Sequence, residues 1–218
     1  MTRACLRVLP IPGLLLCLIA CSSLVGLGAK REVSPRLVVG HKIPDLAFLD
    51  SQGKGIRLYP LLQNASKTVL VFYQGYWSSE CQGQFAGLRE RFSDFREQGA
   101  QIIGVSVDNP WRTWEFGRKI EKEHLVGAAE GQPIELPFLL LSDSSRVVIR
   151  KLGIAERQKD GSVGHGEGAP GNSVQDLIAR PTTIILDMEG TIRWAYIGKS
   201  AKDRPSVDSI LQALAAWS

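Results

Sequence analysis

The chain alternates short apolar runs with polar stretches rich in turn residues. Thr68–Tyr73, Gln101–Val107, Phe138–Leu141 and Thr182–Leu186 are apolar or β-branched nearly throughout. Short runs without polar alternation predict strands buried on both faces. Two briefer extended segments, Leu46–Leu49 and Ile56–Leu58, flank the polar turn 50–55. From Cys81 the apolar residues Phe85, Leu88, Phe92 and Phe95 recur at three- and four-residue steps. That spacing marks one face of a helix, and Gly99 ends it. Trp111–Lys122 reads as a second helix, with Trp114 and Ile120 expected inward. Ser144–Leu152 reads as a short helix stopped by Gly153. Pro205–Trp217 is the closing helix, with Pro205 suited to its first turn. Asp187–Gly190 separates Thr182–Leu186 from the strand Thr191–Tyr196 and gives a hairpin signal. Residues 124–137 read as a polar connection, and 156–176 as a long glycine-rich loop.

The order of elements alternates strand and helix at the front and closes with a hairpin and a helix. Alternation implies parallel crossovers, and the hairpin adds antiparallel strands. The expected fold class is therefore α/β: a three-layer sandwich with a central mixed sheet and helices on both faces.

A chain of 218 residues has room for one such domain and a leader. Arg3 and Arg7 form a basic start, and no charge follows until Lys30. The span includes Leu14–Ala20 and reads as a secretory signal or N-terminal anchor. Leu18–Ile19–Ala20–Cys21 resembles a bacterial lipobox, which makes Cys21 the lipidation candidate. An uncleaved anchor is the second reading. An ordinary cleaved signal ranks third, because Leu27–Gly28–Ala29 is a poor cleavage site. The expected organisation is a leader over 1–29, a linker over 30–38 and a domain over 39–218. All three readings put the domain outside the cytoplasm, tethered to the membrane of a bacterial envelope in the first.

The net charge of +4 is small and dispersed. It gives no basic patch for nucleic acid. His41, His124 and His165 lie far apart and read as solvated, so no metal site and no cofactor is expected.

Three of the four cysteines lie in the leader, and Cys81 is alone in the domain. No internal disulfide can form there. In an oxidising compartment a lone thiol is a liability unless it is buried or does chemistry. Cys81 falls where a buried strand gives way to a helix. The first turn of a helix presents unpaired N–H groups and the positive end of its dipole, and both favour thiolate. Glu80 opposes this unless it points away. Ser78 is placed to cap the helix. The bland reading of Cys81 is a small buried hydrophobe.

Four segments in order resemble the peroxiredoxin (AhpC/TSA-type) branch of the thioredoxin-like superfamily. Gly40–Leu46 looks like the family's G-x-x-x-P-D-F opening. Phe72–Cys81 is similar to the F-Y-R-G-x-W-C-P-x-C segment of one subgroup. Arg180–Gly190 resembles the superfamily's P-T-x-F-L-I-D-x-x-G strand, and Tyr196–Gly198 with Asp203–Pro205 resembles the subgroup's ending. The resemblance implies a thioredoxin-like fold and a peroxidase. Cys81 would be the peroxidatic cysteine, Ser78 the hydroxyl that bonds peroxide, and Arg180 the active-site cation. Pro181 falls at the superfamily's cis-proline. The sequence also departs from the pattern. Ser78 and Ser79 replace the subgroup's Cys and Pro, and Gln74 replaces the family's proline seven residues before the Cys. With no second cysteine, the expected activity is a one-Cys thiol peroxidase acting on hydrogen peroxide or organic hydroperoxides. An external thiol, thioredoxin-like or small, would reduce it, with a homodimer left open as its assembly. The rival readings are a catalytically silent binding module and a thiol oxidoreductase forming mixed disulfides.

Overall fold

A computed structural model of the chain describes residues 37–124, 136–158 and 174–217. The leader with Cys21, the linker before Leu37, His165 and most of the glycine-rich stretch lie outside those residues. The described elements are β1 (Ala47–Leu49), β2 (Gly55–Arg57), α1 (Leu58–Leu62), β3 (Lys67–Phe72), α2 (Ser79–Glu90), α3 (Phe92–Glu97), β4 (Ala100–Ser106), α4 (Pro110–His124), β5 (Leu139–Ser142), α5 (Val147–Lys151), β6 (Ala155–Arg157), β7 (Leu177–Ala179), β8 (Thr182–Asp187), β9 (Ile192–Ile197) and α6 (Val207–Ala215).

Seven strands form one sheet in the order β2-β1-β5-β4-β3-β8-β9, and β6 and β7 pair separately. β3 runs parallel to β4, and β4 to β5, while β8 lies antiparallel on the other side of β3. β3 lies inside the sheet, between β4 and β8, because from Val69 onward its sequence leaves no polar face. Val69 and Val71 enter one core, with Phe85 and Leu88 of α2, Phe116 and Ile120 of α4, and Ile210 and Leu214 of α6. Leu70 and Phe72 enter the other, with Leu58 and Leu62 of α1 and Val148 and Ile149 of α5. Helices thus cover both faces of a mixed sheet, as the pattern of runs predicted.

Five local expectations are corrected. The helix read through Phe95 breaks at Arg91 into α2 and α3, yet Phe85, Leu88 and Phe95 stay fully buried. Trp114 is 45% exposed and stacks on Trp111 at 4.9 Å. The inward stripe of α4 is Thr113, Phe116 and Ile120, at three- and four-residue steps, and Trp114 falls beside it. Leu58 opens helix α1 rather than ending a strand. The glycine-rich loop is shorter than read, because β6 and β7 pair at its two ends. In the closing helix Pro205 lies just outside; Ser206 is the cap, its hydroxyl accepting from the Ser209 N–H at 3.1 Å.

Gly104 seats α2 on the sheet. A Cβ there would lie 2.6 Å from Leu140 Cδ2 and 2.7 Å from Phe85 Cζ. These are core side chains without room to retreat. Gly104→Ala is expected to destabilise the domain by about 1–3 kcal/mol. Urea unfolding of the variant checks this; an unchanged midpoint would mean that α2 can slide without cost.

Acidic groups tie the turns. Burial pushes Asp187 upward, but the Thr191 N–H, at 2.7 Å, and Arg193, at 2.8 Å, outweigh it and hold the carboxyl below its ordinary value. Burial likewise opposes, and the Tyr59 N–H and Arg57 overcome it, at Asp45. Both carboxyls are lower folded than unfolded, so their contribution is present above the unfolded value, about pH 3.9, and is lost as pH falls through the folded one. Asp143 runs the other way: burial raises it, so acid relieves a cost there. Glu80 and Asp203 are lowered as well, so with four lowered carboxyls against one raised, melting temperature should hold between pH 7 and pH 5 and drop below about pH 4. Calorimetry across that range measures it.

Candidate active site

The site is built where β3 ends and α2 begins. The Tyr73 N–H still bonds Val105 O, at 2.9 Å, so the chain leaves the sheet in fixed register. The turn is then pinned twice. The Tyr76 N–H donates to Asp108 Oδ2 at 2.7 Å, and Gln82 Nε2 donates to Tyr76 O at 2.9 Å. Asp108 is itself held by the Ser106 hydroxyl at 3.0 Å. Burial first, and then the charge of Asp108, push the Tyr73 phenol well above its ordinary range. It stays neutral and packs between Phe85 and Phe116.

Ser78 caps α2: its Oγ accepts from the Cys81 N–H at 3.2 Å. Its hydroxyl proton points to Glu80 Oε2, at 3.3 Å. Ser78 is 2% exposed, so its bonding capacity is committed to the helix start. Glu80 takes a second hydroxyl from Ser79 at 3.2 Å. Its own N–H first, then Ser79, lower its carboxyl below the ordinary range, with Ser78 and Lys202 adding to the effect. Two serine hydroxyls and its own N–H therefore hold the carboxylate at the helix start.

Cys81 lies in the first turn of α2 and is completely buried. The cation on its sulfur is Arg204, from the segment before α6. Arg204 Nη2 donates to Cys81 Sγ at 3.3 Å, Nη1 to Gln84 Oε1 at 2.8 Å and Nε to Ala201 O at 3.0 Å. All three nitrogens are engaged, so the guanidinium has one orientation. Its loop is also fixed. Asp203 accepts the Lys199 N–H at 2.7 Å and the Tyr196 hydroxyl. The Tyr196 bond first, then the Lys199 N–H, hold the Asp203 carboxyl below its ordinary value. Gly198 permits the close return, because a Cβ there would lie 2.1 Å from Asp203 O.

Arg180 is not the cation at the thiol. It pairs with Glu156 of β6 at 3.9 Å, and Gln74 Nε2 reaches the same carboxylate at 3.4 Å. The bond from Arg180 to Pro181 is trans, since no cis peptide occurs among the described residues. The chain runs straight from β7 into β8 here, with the Arg180 N–H on Ile154 O at 2.8 Å and the Gly198 N–H on Pro181 O at 2.7 Å. No reversal calls for the less stable isomer. The cis expectation for Pro181 and the thiol role for Arg180 are both corrected. Arg204 was visible in the sequence only as part of a closing motif; its contact with Cys81 comes from packing α6 beside α2.

A cleft of about 380 Å3 opens beside the turn, between the Trp77–Glu80 segment, the end of β6 and the Lys199–Ala201 segment. His41 is exposed, and the His124 side chain lies outside the description. Among the described residues no cluster of His, Cys, Asp and Glu could hold a metal ion.

The AhpC/TSA family model matches residues 39–195. A peroxiredoxin of Thermoplasma volcanium is 25% identical over 181 residues, covering 82% of this chain and 75% of its own. A 1-Cys peroxiredoxin of Medicago truncatula is 29% identical over 131 residues, covering 60% and 56%. Among solved structures, peroxidoxin BcpB from Mycobacterium tuberculosis superposes with a TM-score of 0.63 at 20% identity, over 83% of this chain and 97% of its own.

Proposed function

Because the chain belongs to the AhpC/TSA family, we propose that it is a thiol peroxidase of the one-Cys type, with Cys81 as the reacting group. Family membership supports thiol-peroxidase, oxidoreductase activity; the one-Cys assignment rests on Cys81 being the sole cysteine beyond the leader. The observation that carries the reading is the Arg204 guanidinium on Cys81 Sγ at a helix N-terminus. A cation and a helix dipole together stabilise the negative charge that spreads over sulfur and oxygen during attack. The thiolate takes one oxygen of hydrogen peroxide or an organic hydroperoxide. The S–O bond forms as the O–O bond breaks, and hydroxide or alkoxide leaves. The sulfenic acid at Cys81 is then reduced by an external thiol.

Ser78 serves as the cap of this helix, and binding a peroxide oxygen would require its proton to turn from Glu80. The full burial of Cys81 favours a second reading, the silent binding module. Trapping of sulfenic acid at Cys81 with dimedone after exposure of the purified protein to hydrogen peroxide separates the two. Labelling at Cys81 supports the peroxidase; a thiol that stays unlabelled and unreactive under native conditions supports the module.

The leader supports an extracytoplasmic, membrane-tethered protein, with Cys21 as the lipidated residue. Cys21→Ala is expected to abolish fatty-acid labelling in a bacterial host. Labelling that survives the substitution would reject the lipoprotein and leave export standing.

A further inference from the structure

Arg204 stands on a stretch without helix or strand, between Ile197 at the end of β9 and Val207 at the start of α6. Such a backbone does not by itself hold a cation in one place. Two of its ties are internal: the Asp203 N–H donates to Ser200 O at 3.1 Å, and Arg204 Nε to Ala201 O at 3.0 Å. These move with the stretch. The tie to the sheet comes from the residue before the cation. Asp203 Oδ1 accepts the Tyr196 hydroxyl, while Oδ2 accepts the Lys199 N–H at 2.7 Å. Tyr196 lies within β9, and its ring stacks on Trp194 at 6.2 Å. Trp194 packs against the core that contains Cys81, and Tyr196, two residues on, shares its face of the strand. The bond to Asp203 first, then desolvation, push the Tyr196 phenol above its ordinary value, so a neutral hydroxyl donates to an ionised carboxylate. From adjacent α-carbons, one side chain reaches back to the sheet and the next reaches forward to Gln84 and Cys81 of α2.

We propose that Tyr196 and Asp203 are positioning residues for the oxidation of Cys81: the hydrogen bond between them sets the Arg204 guanidinium on Sγ. The proposal rests on the peroxidase reading. Charge spreads over sulfur and the leaving oxygen during attack, and a donor stabilises it fully only where it already stands. Without the Tyr196 hydroxyl, the Asp203 carboxylate keeps the Lys199 N–H, which belongs to the same stretch, and loses its bond to β9. The guanidinium still meets Gln84, but its base is free to shift. A displacement of about 1 Å at a reacting centre is enough to cost up to about a hundredfold in rate. The two fragments near the C-terminus, Tyr196–Gly198 and Asp203–Pro205, thereby form one device. The tyrosine anchors, the glycine admits the returning Asp203 carbonyl where a Cβ would lie 2.1 Å away, the aspartate takes the anchor, and the arginine is delivered to the sulfur.

Two measurements on the purified full chain test this. The first is the rate of Cys81 oxidation by hydrogen peroxide, followed by stopped flow through a double-mutant cycle. Tyr196→Phe keeps the ring on Trp194 and removes only the hydroxyl. It should slow oxidation about tenfold, the scale of one hydrogen bond to a charged group. Asp203→Asn, which leaves one acceptor oxygen for two donors, should act to a similar degree. The two together should be no slower than the slower one alone, because they remove the same bond. In an Arg204→Met background neither should have a further effect, whereas a merely structural role would lower the rate in both backgrounds alike. Equal rates in wild type and Tyr196→Phe, or the same fold loss with and without Arg204, overturns the proposal. The second measurement uses no peroxide. The Arg204 Nε–H signal in proton–nitrogen correlation NMR, identified by its loss in Arg204→Met, should shift or broaden in Tyr196→Phe and in Asp203→Asn. A signal unchanged by both variants overturns the proposal. If peroxide fails to oxidise wild-type Cys81 while the signal responds to both variants, the peroxidase reading falls and the pair stands as the device that seats Arg204 on Sγ.

Discussion

Replacing Cys81 with serine should abolish peroxide consumption. No other thiol exists beyond the leader, and a serine hydroxyl is neither ionised nor nucleophilic enough at neutral pH to take an oxygen from peroxide. The substitution is structurally mild. Serine is close in size, Arg204 Nη2 can donate to Oγ as it does to Sγ, and the capped N–H of residue 81 is backbone. The variant should therefore stay folded, at a cost of about 1–2 kcal/mol for a buried hydroxyl with a single charged partner. Peroxide loss in the presence of an external thiol, followed beside a thermal melt, gives both quantities. Turnover that survives in a folded Cys81→Ser protein would remove the thiol from the mechanism. A wild-type protein that consumes peroxide no faster than buffer with thiol would point to the silent module.

Arg204→Met should slow oxidation of Cys81 by about a hundredfold, the usual result of removing one preorganised donor from a site where charge develops. Methionine fills similar volume and keeps α6 against α2, so the loss would be electrostatic. Arg204→Lys should fall between the two. An ammonium restores the charge but cannot bond Cys81, Gln84 and Ala201 at once from a fixed plane. Stopped-flow oxidation under pseudo-first-order peroxide orders the three proteins. Equal rates in wild type and Arg204→Met would show that the guanidinium only covers the sulfur. Arg180→Met in the same assay should have a much smaller effect, because that cation is spent on Glu156.

The two arginines show where sequence stops being legible. The buried strands were plain because β3, β4 and β8 are apolar on both faces, and the helix into Cys81 was plain because its apolar spacing has one period. Cys81 could be singled out from its place at their junction. Arg180 and Arg204 cannot be ranked that way. Both are single cations beside a proline, and their partners lie far along the chain: Glu156 for one, Cys81 for the other. Only the packing of α6 on α2 decides which reaches the sulfur. Glu80 was ambiguous for the same reason. A carboxylate next to a thiol is harmful or helpful according to a single side-chain rotation, and here two serine hydroxyls fix it. The short pieces α1, β6 and β7 escaped notice because three to five residues carry too little periodicity to stand out from a loop.

The antiparallel partner of β3 has a consequence for synthesis. Lys67 lies opposite Asp187 and Phe72 opposite Thr182, so the middle of the sheet is completed only by residues made near the end of the chain. Pairings this distant bear a large loop-closure entropy and come late in folding. A nascent chain that has emitted β3, α2 and β4 still has one open edge on its central strand and cannot lock. For a protein whose first residues read as an export address, that delay keeps the polypeptide threadable for as long as the ribosome is still working on it.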